Sequence, residues 1–390
     1  MIESVTSTIE FQMSFLLFLA MAGYLLGSRI NQSAIVGEIL IGVAVGPSLL
    51  GLITYTDFVQ GIGQIGAVVM LFVVGMEIRV GDIAKIRYGL IALAGVVFPW
   101  AGGYLLASWF GFGFGGAVFV GTALTATSIA ITANALREMG KLQTDAAKAI
   151  IGAAVIDDVL GLLALSMSAD LVSGVFSYAG TFVIIAKAVA FLAFGYLAGH
   201  YGVTRLIRRM DRSGIVKRYP EFTFIFAMMF AFLYAMTAEL VGLSAIVGAF
   251  IAGVSLEGIR LSNSKSFAEG AEYLYIIFGA IFFVSLGILV DVRGLTEAAL
   301  WFLLALTCVA IVTKFAGCGL AARLQGMSGR DSLIVGIGMS PRGEIAMVVA
   351  LMGLTDRVIG QDIYTAVVVM SLLTTLVTPI FLKRLYRAKG

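Results

Sequence analysis

The chain is 390 residues long, 60% hydrophobic and only 13% charged, with a mean hydropathy of +1.02. A soluble globular protein carries about 25% charged residues, so the composition describes a polytopic membrane protein with little mass outside the bilayer. The net charge of +3 belongs to loops on one side of a membrane and argues against a nucleic-acid-binding surface.

Apolar segments of spanning length fall at about 9–27, 33–52, 61–77, 88–109, 115–134, 146–169, 179–203, 221–240, 242–257, 271–290, 298–323, 329–354 and 362–382. The expected fold is therefore all-α, with thirteen transmembrane helices. Met1–Glu10 carries acids and no Lys or Arg, unlike a cleaved signal peptide, and is expected to be the retained outer start of the first helix. Lys and Arg alternate sharply between loops. One face collects 21 of them, including the run Arg205, Arg208, Arg209, Arg212, Lys217 and Arg218, as well as Arg260 and Lys265. The other face has only Arg293 and Arg357. By the positive-inside rule the N-terminus is outside and the C-terminus cytoplasmic, in a cell (inner) membrane. That orientation requires an odd number of crossings.

Three cations fall within spans: Lys187, Lys314 and Arg342. Cys308 and Cys318 lie ten residues apart on one expected helix, about 15 Å along its axis, too far for a disulfide. Both read as packing residues. The one histidine, His200, has no nearby Cys or second His, so no zinc site is expected.

An internal repeat is visible. Ser33-Ala-Ile-Val-Gly37 recurs as Ser244-Ala-Ile-Val-Gly248, an offset of 211, kept by Gly42 and Gly253. Gly75 and Gly287 are 212 apart. The first six spans (about 9–169) match the last six (about 221–382), with the seventh (about 179–203) as linker. The first half begins outside and the second inside, so the repeats are inverted, as in many secondary transporters. At the same offset, the polar interruption Thr125-Ala-Thr-Ser128 falls on Gly338-Met-Ser-Pro-Arg-Gly-Glu344 around Ser340. Interrupted spans at matching positions point to a binding site, because they free backbone carbonyls.

Asp157 and Asp158 stand side by side in Ala154-Val-Ile-Asp-Asp-Val159. Ionisable residues inside a span are costly and mark functional sites. On a helix the two point about 100° apart, so one can face a cavity and the other a fixed partner. Lys314 is too deep in its span to reach water and needs an anion, for which the Asp pair is the obvious choice. Structure alone, or proton release, would each explain that pair. Arg342 and Glu344 can pair with each other, or with Glu38 or Glu77. They hold an unwound segment or handle the ion directly.

At these residues the chain resembles the monovalent cation:proton antiporters of the NapA/NhaA type, over almost its whole length. The resemblance rests on the Asp-Asp pair, the Thr127-Ser128 break, the Gly338–Glu344 segment, Lys314 and Val36-Gly-Glu-Ile-Leu-Ile-Gly42. It implies two inverted six-helix repeats whose broken fifth and twelfth helices cross. It implies a core domain at about 88–169 and 298–382, and a dimerisation domain at about 9–77 and 221–290. Asp158 would be the main cation- and proton-binding carboxylate, with Asp157 as partner of Lys314, and Thr127 and Ser128 as neighbours of the ion. Ser340, Arg342 and Glu344 would support them. The Asp-Asp pair goes with electrogenic exchange of protons for Na⁺ or Li⁺ in a homodimer, with no cofactor beyond the transported ions. Potassium-efflux relatives with Gln-Asp carry a nucleotide-binding domain, which is not expected in a chain ending at Gly390. A K⁺/H⁺ antiporter, a sodium-coupled organic-anion symporter of similar architecture, a channel and a membrane sensor are the alternatives. No Ser/His, Cys/His or metal motif suggests an enzyme.

Overall fold

The computed structural model describes residues 8–173, 178–259, 267–293 and 295–387. The start of the N-terminal segment, the loop cations Arg260 and Lys265, the side chain of Glu344 and the terminal Gly390 lie outside the described residues.

The described residues are helices joined by short connections. They are α1 (Ile9–Arg29), α2 (Ala34–Val45), α3 (Asp57–Met76), the short α4 (Val80–Ile83), α5 (Tyr88–Trp109), α6 (Phe114–Ala123) and α7 (Ile129–Glu138). Next come α8 (Asp145–Ser173), α9 (Tyr178–Leu197), a π-helical segment (Ala198–Val203), α10 (Thr204–Asp211), α11 (Gly214–Arg218) and α12 (Phe222–Leu240). The last are α13 (Ala245–Ser255), α14 (Phe267–Ile288), α15 (Glu297–Leu324), α16 (Gly329–Gly338), α17 (Glu344–Thr355) and α18 (Gln361–Arg387). Threonine and serine cap several first turns: Thr8 Oγ1 accepts from Phe11 N at 3.3 Å, and Thr296 Oγ1 from Ala299 N at 3.2 Å.

Among the described residues, nine helices are long and apolar enough to cross a bilayer, and four apolar helices are shorter: 34–45, 114–123, 245–255 and 345–355. The second apolar stretch, expected to run to residue 52, is helical only to Val45, because Gly46 precedes Pro47 and that pair disfavours helix. Cys308 is exposed, which corrects its reading as a packing residue, whereas Cys318 is buried; both are free thiols.

The chain forms two compact units, divided inside α9 between Ile185 and Ala186. The first holds residues 1–45, 53–80 and 186–289. Its helices meet at glycines. A Cβ on Gly42 would sit 2.9 Å from Gly287 Cα, and one on Gly75 would sit 2.9 Å from Val254 N, against Gly253. Real side chains do not tolerate such distances, so only glycine lets these backbones touch. The partners are swapped relative to the sequence repeat: Gly42 matches Gly253 in the repeat but packs on Gly287. Two copies related by a two-fold axis produce that pattern. An apolar cluster of Leu16, Leu19, Val59, Ile281 and Val284 fills the same unit. The π-helical turn is held by Thr204 Oγ1, which donates to Ser255 O at 2.9 Å.

The second unit holds residues 46–52, 81–185 and 290–390. At one end Arg330 Nη2 donates to Leu385 O at 2.6 Å, and Tyr386 Oη shares a 2.9 Å hydrogen bond with Thr144 Oγ1. These bonds tie the start of α16, the end of α18 and the start of α8 together. Lys148 and Asp82 add an ion pair at 2.9 Å.

Candidate functional site

The site is built where two helices stop and restart inside the second unit. Between α6 and α7, residues 124–128 leave the helix. The cause is local: Thr125 Oγ1 donates to Thr122 O at 2.8 Å, offering the backbone an alternative partner to the helix ladder. Between α16 and α17 the break is residues 339–343, where Pro341 has no N–H to give.

The breaks cross and are stitched together. Ser128 N donates to Pro341 O at 3.0 Å, Thr132 Oγ1 to Gly338 O at 2.6 Å and Thr127 Oγ1 to Met339 O at 3.4 Å. A Cβ on Gly343 would fall 2.8 Å from Ser128 Cβ, so the crossing needs glycine there. From α18, Thr374 Oγ1 accepts Arg342 N at 3.1 Å, and Thr375 Oγ1 donates to Arg342 O at 3.2 Å. Ser340 Oγ turns back onto Gly336 O at 2.9 Å. Ser128 Oγ is buried with no partner.

Asp157 and Asp158 are both buried on α8, at 0% and 5% exposure. Lys314, on α15 and fully buried, places its Nζ 3.0 Å from Asp157 Oδ1 and 3.3 Å from Oδ2. The same ammonium donates to Gly95 O at 2.6 Å and Thr125 O at 2.7 Å. Three N–H donors thus find three acceptor groups, on α5, on the first break and on α8.

Of the carboxylate partners expected for Arg342, Glu344 has its side chain outside the described residues. The Arg342 guanidinium is fully buried and donates to carbonyls: Ser340 O at 3.0 Å, Met339 O at 3.5 Å and Ala310 O on α15 at 3.0 Å. Among the described residues no carboxylate lies within ion-pair reach of it. In the first unit, Arg79 lies 3.6 Å from Glu257, both at the surface. A further polar contact was missed from sequence: Thr122 Oγ1 and Ser168 Oγ meet at 2.5 Å, and Trp100 Nε1 donates to Thr122 at 3.3 Å. Ser168 lies eleven residues after Asp157, on the same helical face, which is the signal that could have found it. Among the described residues no group of three or more His, Cys, Asp or Glu could hold a metal ion.

Two broken helices are thus stitched across each other in the unit that also buries the Lys314–Asp157 pair. The family model for the transmembrane part of sodium/hydrogen exchangers matches residues 15–388. The chain belongs to the sodium/hydrogen exchanger family. It is similar to the Na(+)/H(+)-K(+) antiporter GerN of Bacillus cereus, 34% identical over 93% of this chain and 92% of that one. It is similar also to the Na(+)/H(+) antiporter of Enterococcus hirae, at 31% identity over 94% and 96%. The sodium proton antiporter MjNhaP1 from Methanocaldococcus jannaschii shares the fold, with a TM-score of 0.73 over 96% of this chain and 95% of that one, at 16% identity. As a family member the chain is a multi-pass membrane transporter, not an enzyme, and its described residues share the helical architecture of MjNhaP1.

Proposed function

We propose that this exchanger exports Na⁺ (or Li⁺) in return for protons, which compete with the cation for Asp158. The observation that carries the reading is the buried Lys314–Asp157 pair at 3.0 Å, on the helix that bears a second buried carboxylate. Deprotonation on the cytoplasmic side lets the cation bind Asp158, with Thr127 and Ser128 beside it. Asp157 then loosens its hold on Lys314. With the charges balanced, the second unit, taken as the core, moves past the first, taken as the dimerisation domain of a homodimer. Carrying an uncompensated carboxylate through lipid would be costly, which suppresses slippage. Thirteen crossings, an outer N-terminus and a cytoplasmic C-terminus complete the arrangement. The Asp–Asp pair supports electrogenic exchange, which voltage drives by about 2.3 kcal/mol per charge per 100 mV.

Potassium exchange is the second reading, supported by the similarity to GerN, whose name includes K(+). Both are tested in proteoliposomes by imposing Na⁺, Li⁺ or K⁺ gradients and following internal pH under clamped and imposed voltage. Sodium-driven proton movement that responds to voltage is expected. A response to K⁺ alone favours the second reading, and no response to any of the three ions would refute both.

A further inference from the structure

Each break frees carbonyls at the C-terminal end of a half-helix, and each set is met by a buried cationic side chain. At the first break, Thr125 O accepts from Lys314 Nζ at 2.7 Å. At the second, Ser340 O and Met339 O accept from Arg342 at 3.0 and 3.5 Å. Carbonyls of this kind, pointing out of a half-helix C-terminus with its partial negative charge, are what a monovalent cation binds inside a membrane. The two caps are chemically unequal. A lysine can give up its proton and swing away; a guanidinium in a protein stays charged, and its planar fork here is fixed on two elements, the break and Ala310 O on α15 at 3.0 Å.

We infer that Arg342 is a tethered cation that permanently occupies the carbonyl cluster of the second break and so denies it to the transported ion. The ion site is thereby one-sided: the transported cation has Asp158 and the first break, and only Lys314 can vacate. Arg342 is a positioning residue that sets the number of bound cations per protomer. It makes the coupling of one cation to one carboxylate a property of the scaffold. Its backbone fits the role, being pinned by Thr374 and Thr375 at 3.1 and 3.2 Å, so that the fork cannot drift off the carbonyls.

The inference rests on the cation-exchange reading, and its test separates the two. Radioactive Na⁺ bound per protomer is measured by equilibrium dialysis on the purified full chain, for wild type, Arg342→Gln and Arg342→Lys. Measurements are made near neutral pH and near pH 10.4, where an ordinary lysine is about half deprotonated. Wild type is expected to bind one Na⁺ at both pH values. Arg342→Gln is expected to bind two, a doubling at both pH values, and Arg342→Lys one near neutrality and more at high pH. If Arg342→Gln does not fold, Arg342→Lys decides by its pH dependence. An unchanged count in the folded variants, or two ions in wild type, would overturn the role of Arg342. If wild type binds no Na⁺, it is the Na⁺-exchange reading that fails.

Discussion

The two compact units hold their helices together by different chemistry. In the first, backbones touch at Gly42–Gly287 and Gly75–Gly253, and the buried side chains are mostly apolar. In the second, threonine and serine hydroxyls, one ammonium and one guanidinium reach across to carbonyls that no helix ladder uses. Without a hydrophobic force between helices in lipid, both solutions work: close small-residue packing, and interhelical hydrogen bonds. The first unit also buries Glu38 and Asp211, but the buried lysine, the buried arginine and the carbonyls of the two breaks lie in the second, beside Asp157 and Asp158, and those are what ion handling requires.

The contrast can be broken at graded cost. Removing one partner of a buried ion pair strands the other charge, so Lys314→Ala should cost about 3–5 kcal/mol. It should lower the melting temperature in detergent sharply, and adding Asp157→Ala should recover part of the loss. A double variant no more stable than Lys314→Ala would show that the ammonium's bonds to Gly95 and Thr125, not the pair, carry the effect. In the glycine-packed unit, Gly253→Val would drive a side chain into the Phe72 carbonyl and should cost about 1–3 kcal/mol, read by the same melt. Because the substitution touches no ionisable group, the apparent affinity for Na⁺ should be unaltered. Thr132→Val removes the 2.6 Å bond to Gly338 O and should cost about 1 kcal/mol, while loosening the crossing enough to raise the KM for the cation.

The smallest effect lies at the surface. The Arg293 side chain and backbone N–H beside Asp291 hold its carboxyl below the usual aspartate range. A lowered folded-state value contributes stability that is present above the ordinary aspartate range and is lost as pH falls through the folded-state value. Both groups are largely exposed, so solvent screens the pair. Arg293→Ala should leave the melting temperature nearly unchanged at neutral pH, and any small difference should vanish in strong acid.

Much of this was legible in the sequence. The helices fall on the apolar stretches, and the two breaks fall on Thr125–Ser128 and Ser340–Gly343, because proline and clustered hydroxyls announce themselves. The need of Lys314 for an anion was legible too, since a lysine in mid-span has few options. The acceptors of Arg342 were not. A sequence displays carboxylates but hides carbonyls, so Ser340 O, Met339 O and Ala310 O could not be named in advance. The end of α2 at Val45 was hidden by apolar residues that continue past Pro47. The meeting of Trp100, Thr122 and Ser168 joins three helices, of which the sequence pattern offers only the shared face of Ser168 and Asp157.

The proposed exchange requires that protons and the cation compete for Asp158. The most direct test adds Na⁺ to purified protein in weak buffer and measures released protons, for wild type and Asp158→Asn. Wild type should release protons, in amounts that shrink as the starting pH rises and the site is already deprotonated, and the variant none. Equal release from a folded Asp158→Asn would contradict that competition, and would place the exchange at another group.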